Sequence, residues 1–120
     1  MTLRLEASEQ VFERGREIIP GGVNSAVRAL KAVGGIPFMA QSASGVWIKD
    51  LDGNRYVDYI LSYGPMILGH GDERVTKAVQ EAATRGLSYG APTEGEVEIA
   101  ELLCSAVPGM DRVRLVNSGT

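Results

Sequence analysis

The last nine residues, 112–120, do most to restrict what this chain can fold into. Val113, Leu115 and Val116 form a short apolar, β-branched run, which predicts a strand. Asn117, Ser118, Gly119 and Thr120 follow as a tight turn of small residues. Where such a turn opens a helix, several backbone N–H groups stay unpaired and point one way. Those donors, with the positive end of the helix dipole, make a seat for a phosphate. The hydroxyls of Ser118 and Thr120 add two more donors. Taken alone, an ordinary strand-end turn is the plainer reading of the same residues. A helix, then a strand, then a glycine turn is the order found at the first strand of an α/β domain.

Three helices are expected. Ser8 can cap one that runs to about Ile18, with Val11, Phe12, Gly15, Ile18 and Ile19 on one stripe. Pro20, Gly21 and Gly22 end it. Asp72 can cap a second that ends near Arg85, with Val75, Ala78, Val79, Ala82 and Ala83 on its apolar side. Thr93 and Glu96 match a capping box for a third, running to about Ala106. Its inner face would hold Val97, Ala100, Cys104 and Val107, widened by Leu103. Cys104 in mid-stripe reads as an inert core thiol.

Between the first two helices, residues 36–40, 46–50 and 55–59 predict a small antiparallel sheet. Pro37 suggests an edge, and Asp52 with Gly53 is a hairpin signal. Trp47 and Tyr56 read as cross-strand packing. Residues 60–70 are apolar yet broken by glycine and proline. A loop of that composition should be buried or should line a pocket, and Tyr63 offers it a flat ring and a hydroxyl. His70, the single histidine, reads as a turn stabiliser, because no second ligand stands at metal spacing. The glycine-led loop 20–28 ends in Arg28, whose fork suits a carboxylate, with Asn24 and Ser25 able to complete the site. A solvated surface arginine is the plainer alternative.

A length of 120 residues fits one small domain or a piece of a larger one. A net charge of −3 gives no footprint for nucleic acid. No apolar run approaches the ~20 residues of a membrane span, the N-terminus lacks a signal-like run, and one cysteine fits a reducing compartment. Cytoplasmic location is the expectation.

Taken together, the stretches 20–28, 52–59, 64–70, 90–94 and 116–120 closely resemble the glutamate-1-semialdehyde aminomutase family. Those enzymes belong to the class III aminotransferase-like, fold-type I pyridoxal-phosphate proteins. The resemblance runs from Ser8 onward. It implies an α/β fold, α+β within this segment. Residues 1–60 would carry the N-terminal helix, the substrate-side loop and the small sheet, and residues 61–120 the start of the cofactor-binding large domain. It implies isomerisation of glutamate 1-semialdehyde to 5-aminolevulinate, a tetrapyrrole precursor, by a homodimer. Ser118, Gly119 and Thr120 match the turn that holds the phosphate of pyridoxal 5'-phosphate. Ser25 and Arg28 match the substrate side. Tyr63 stands where the family commonly has a pocket-lining Trp, and Asp72 replaces a family His at a helix cap. None of Lys31, Lys49 and Lys77 matches the family's Schiff-base lysine, so the 120 residues by themselves are expected to be inactive. Two other readings stand beside this one. One is a class III aminotransferase acting on an ω-amine or a β-amino acid, and the other a non-catalytic dimerisation fragment.

Overall fold

The structure is a computed structural model and describes residues 3–117. It falls into two compact units, one reaching Gln80 and the other starting at Glu81. No helix among the described residues is long and apolar enough to cross a membrane.

In the first unit, helix α1 spans Glu6–Ile18. Glu6 and Glu9 in its first turn and Arg16 in its last complement the helix dipole. Ser8 does not cap it. Leu5 holds the cap position and contributes no side-chain hydrogen bond. The cap comes from Asp52, far along the chain. Its Oδ1 accepts from the Ala7 N–H at 2.7 Å, and its Oδ2 accepts from the Ser8 N–H at 3.0 Å and the Ser8 hydroxyl at 2.6 Å. The buried Ser8 hydroxyl in turn accepts the Met39 N–H at 3.1 Å. A carboxylate satisfies two orphan donors and the dipole at once, which a serine cannot. Burial pushes the Asp52 carboxyl up, but the hydrogen bonds from Ser8 and Ala7 outweigh it and hold it below its ordinary value.

Three strands follow: β1 (Ala40–Ser44), β2 (Trp47–Asp50) and β3 (Arg55–Val57), antiparallel in that order. The first strand thus begins where the expected 36–40 segment ends. Pro37 lacks an N–H for a ladder and is buried instead, while Phe38 stacks on Tyr56 with centroids 4.6 Å apart. Tyr56 and Trp47 do not pack on each other. The register pairs Ile48 with Tyr56 and Trp47 with Val57, so the two rings lie on opposite faces. The Arg55 guanidinium covers Trp47 at 4.4 Å.

The hairpin closes as its sequence predicts. The Gly53 N–H donates to the Asp50 carbonyl, and Gly53 takes φ +86, which a side chain would resist. Asp50 is fully buried behind this turn and accepts from the Asn54 N–H, the Asn54 amide and the Tyr56 hydroxyl, each at 2.7 Å. Burial raises the Tyr56 phenol, and its bond to Asp50 raises it further, to about 12.

Helix α2 spans Glu73–Ala83. Asp72 caps it as expected, accepting from the Arg74 N–H at 3.0 Å and the Val75 N–H at 3.4 Å. A side-chain bond from Arg74 is the main reason its carboxyl is lowered to about 2.

In the second unit, helix α3 spans Glu94–Ala106 after Thr93. The expected capping box is not formed, and Thr93 makes no side-chain cap bond. Thr93 Oγ1 faces Glu96 Oε1 at 3.5 Å, and the Glu96 N–H reaches the Thr93 carbonyl rather than its hydroxyl. The expected inner face of α3 is not buried: Val97 is 57% exposed, Val107 is exposed, and Ala100, Leu103 and Cys104 are half-buried. An amphipathic stripe is buried only where a second layer covers it. Residues 113–115 run beside Glu96 and Ala100 around a cavity of about 500 Å³. The segment read as a strand there has no ladder partner among the described residues.

Candidate functional site

Two loops of the first unit carry the substrate-side residues that the sequence singles out. In the first loop, Pro20 and two glycines release the chain from α1. A short 3-10 turn then forms over Ala26–Ala29. Ser25 precedes it in extended backbone, and its carbonyl accepts the Arg28 N–H at 2.9 Å. Ala29 is buried and roots the turn. Arg28 is exposed, and no carboxylate pairs with it among the described residues. Its five donors are therefore open to an anion. Asn24 is exposed and Ser25 half-buried, and no hydrogen bond joins either side chain to Arg28 among the described residues.

The second loop runs from Asp58 to His70. Both ends are tied to the sheet. The Asp58 N–H donates to the Val46 carbonyl at 2.8 Å, and His70 exchanges two backbone bonds of 2.8 Å with Gly45. Gly69 is needed here, because a Cβ would meet the Gly45 carbonyl oxygen at 2.8 Å. The side chains close the same gap. His70 Nε2 lies 2.7 Å from Asp58 Oδ2, with side-chain exposures of 18% and 5%. An ionised carboxylate only accepts, so Nε2 carries the hydrogen. Asp58 Oδ1 accepts the Ile60 and Leu61 N–H groups at 2.8 and 3.0 Å. The bond from His70 is the main cause that holds the Asp58 carboxyl below its ordinary value, followed by the Leu61 amide.

Above this base, Leu61, Ser62 and Tyr63 all take positive φ, at 51, 55 and 65, before Gly64 at 116. Left-handed backbone costs an ordinary residue roughly 1–2 kcal/mol. Three in a row persist only where the surroundings impose them. The turn is closed by Tyr63 N–H to Ile60 carbonyl and by the Gly64 and Met66 N–H groups to the Leu61 carbonyl. It presents Tyr63 outward, 67% exposed, with Ile67 and Leu68 also exposed. The apolar loop is therefore not buried; its side chains stand ready to line a surface.

His70 stabilises its turn, as its isolation in the sequence suggests. Ser25, Arg28 and Tyr63 are not joined to one another by any hydrogen bond among the described residues. Ser118, Gly119 and Thr120 lie outside the described residues. Sequence reasoning passed over Asp58. Its one signal is position, an acid at the start of an apolar, glycine-broken loop that the chain's sole histidine closes. A cavity of about 500 Å³ lined by Phe12, Arg16, Ala29, Leu30 and Lys31 was equally silent in the sequence.

Residues 30–120 match the family described as aminotransferase class-III. The chain is 62% identical over 113 residues to glutamate-1-semialdehyde 2,1-aminomutase 2 of Lachnoclostridium phytofermentans, covering 94% of this chain and 26% of that protein. An ω-transaminase from Sphaerobacter thermophilus superposes with a TM-score of 0.85 at 35% identity, over 94% of this chain and 25% of its own. A transaminase solved with PLP bound superposes at 0.79 and 30% identity, over 87% and 24%. The chain spans about a quarter of the length of the curated relatives it matches. It has the fold found at the corresponding part of the fold-type I transaminases. By sequence match and by architecture alike, the chain belongs to the class-III aminotransferase family.

Proposed function

We propose that these residues form the N-terminal part of a pyridoxal-phosphate-dependent aminomutase that converts glutamate 1-semialdehyde to 5-aminolevulinate, on the way to tetrapyrroles. The observation that carries this reading is the 62% identity, across 94% of the chain, to a protein of that name. Residues 1–60 supply the substrate side, and residues 61–120 begin the cofactor-binding domain. Arg28 takes the substrate carboxylate in a two-pronged contact, and Ser25 lies beside it in the same loop. Tyr63 offers its ring face to the carbon chain. Ser118, Gly119 and Thr120 fit a phosphate by chemistry, since two hydroxyls and the backbone amides are all donors. When bound, the cofactor supplies an electron sink at the amine-bearing carbon. The working protein is a cytoplasmic homodimer on this reading.

An aminomutase keeps its amino group in the same molecule and needs no separate acceptor. Full-length protein incubated with glutamate 1-semialdehyde and no oxo acid should therefore form 5-aminolevulinate. The ω-transaminase superposition favours a second reading, transfer from an ω-amine or a β-amino acid. Turnover that depends on an added oxo-acid acceptor, with no 5-aminolevulinate, would establish that reading instead.

A further inference from the structure

We propose that Asp58 and His70 are positioning residues for Tyr63, holding the left-handed turn and so fixing where the ring meets the substrate. This rests on Tyr63 facing the substrate, as in the function proposed above. The argument starts from the backbone. Residues 61–63 adopt a conformation that none of them prefers. Burial of side chains does little to impose it, because Ser62 and Tyr63 are exposed and Leu61 is only half-buried. What imposes it lies below. Asp58 Oδ1 takes the two N–H groups that lead into the turn, and Oδ2 takes His70 at the far end of the loop. One carboxylate therefore ties the start of the turn to the end of the loop, 12 residues on. His70 is itself fixed by its backbone pairing with Gly45. The chain of restraint runs from sheet to histidine to carboxylate to turn to tyrosine. Such an arrangement orders the ring before any ligand arrives, which lowers the ordering cost of binding.

The test uses a double-mutant cycle in the full-length protein. His70→Ala should raise KM for the semialdehyde about tenfold, with kcat changed by less than about twofold. His70→Gln, which can still donate to Asp58 Oδ2, should restore most of the affinity. In a Tyr63→Ala background, His70→Ala should add nothing further. Additive effects of the two substitutions would overturn the proposal. Where His70→Ala fails to fold, Asp58→Asn takes its place in the cycle, since it keeps the acceptor for Ile60 and Leu61 but loses the charge facing His70. A second measurement needs no turnover. In the full-length protein, His70→Ala should speed hydrogen exchange at the Ile60 and Leu61 amides at least about tenfold. The Ile19 amide, bonded to the Gly15 carbonyl in α1, should not change. Unchanged exchange at Ile60 and Leu61 overturns the clasp, whereas failure of the aminomutase reading shows only in the product assay.

Discussion

Arg28 stands exposed at the end of a glycine-led loop, with its turn rooted by buried Ala29 and its guanidinium unpaired among the described residues. Losing a bidentate bond to a charged group costs about 1.5–3 kcal/mol. Arg28→Ala in the full-length protein should therefore raise substrate KM by roughly 10- to 150-fold. Cofactor absorbance should be unaffected. Normal KM would remove Arg28 from the site. At this scale the sequence was legible in uneven ways. Arg28, Ser25 and Tyr63 stood out through resemblance and chemistry together. Asp58 did not, because its value lies in three contacts that form only once residues 60, 61 and 70 are folded around it.

The hairpin shows how an element can be legible while its partners are not. Alternation and the Asp52–Gly53 pair placed the turn, and Gly53 takes the positive φ that such a turn asks for. The alternation did not reveal that Asp50 would be buried under Asn54 and Tyr56, nor that Asp52 would leave its own turn to cap α1. Helix caps read from local windows assume a neighbour in sequence. The Asp72 cap lies within that assumption; the α1 cap does not, and Thr93 holds its cap position without a side-chain bond. The buried bond from Tyr56 to Asp50 has a measurable consequence. A phenol whose folded value is raised from 10.0 to about 12 stabilises the fold fully below pH 10. That stabilisation is lost as pH rises from there through about 12. Ultraviolet titration should show one of the four tyrosines ionising only near pH 12. Tyr56→Phe should delete that late step, and deletion of an earlier step would reassign it.

At the scale of the whole molecule, three carboxylates do much of the joining within the first unit. Asp50, Asp52 and Asp58 each accept at least three hydrogen bonds and are each lowered from 3.8. A depressed carboxylate stabilises the fold above its unfolded value and loses that contribution as pH falls through the folded one. Circular dichroism should therefore show stability that is flat from neutral pH to about 5 and falls below about 4. Unfolding that begins near pH 6 would place the cause elsewhere. The same carboxylates decide when the first helix can exist. A 13-residue helix is marginal in water by itself, and the group that caps α1 lies 44 residues after Ser8. Synthesis proceeds at about 5–20 residues per second, so Ser8 of α1 leaves the ribosome some 2–9 s before Asp52 does. A nascent chain arrested before Asp52 should show its α1 amides exchanging freely, and one arrested well past Tyr59 should not. Helix α1 is thus made before the group that caps it, and its residues wait those seconds for Asp52, open to chaperones and proteases.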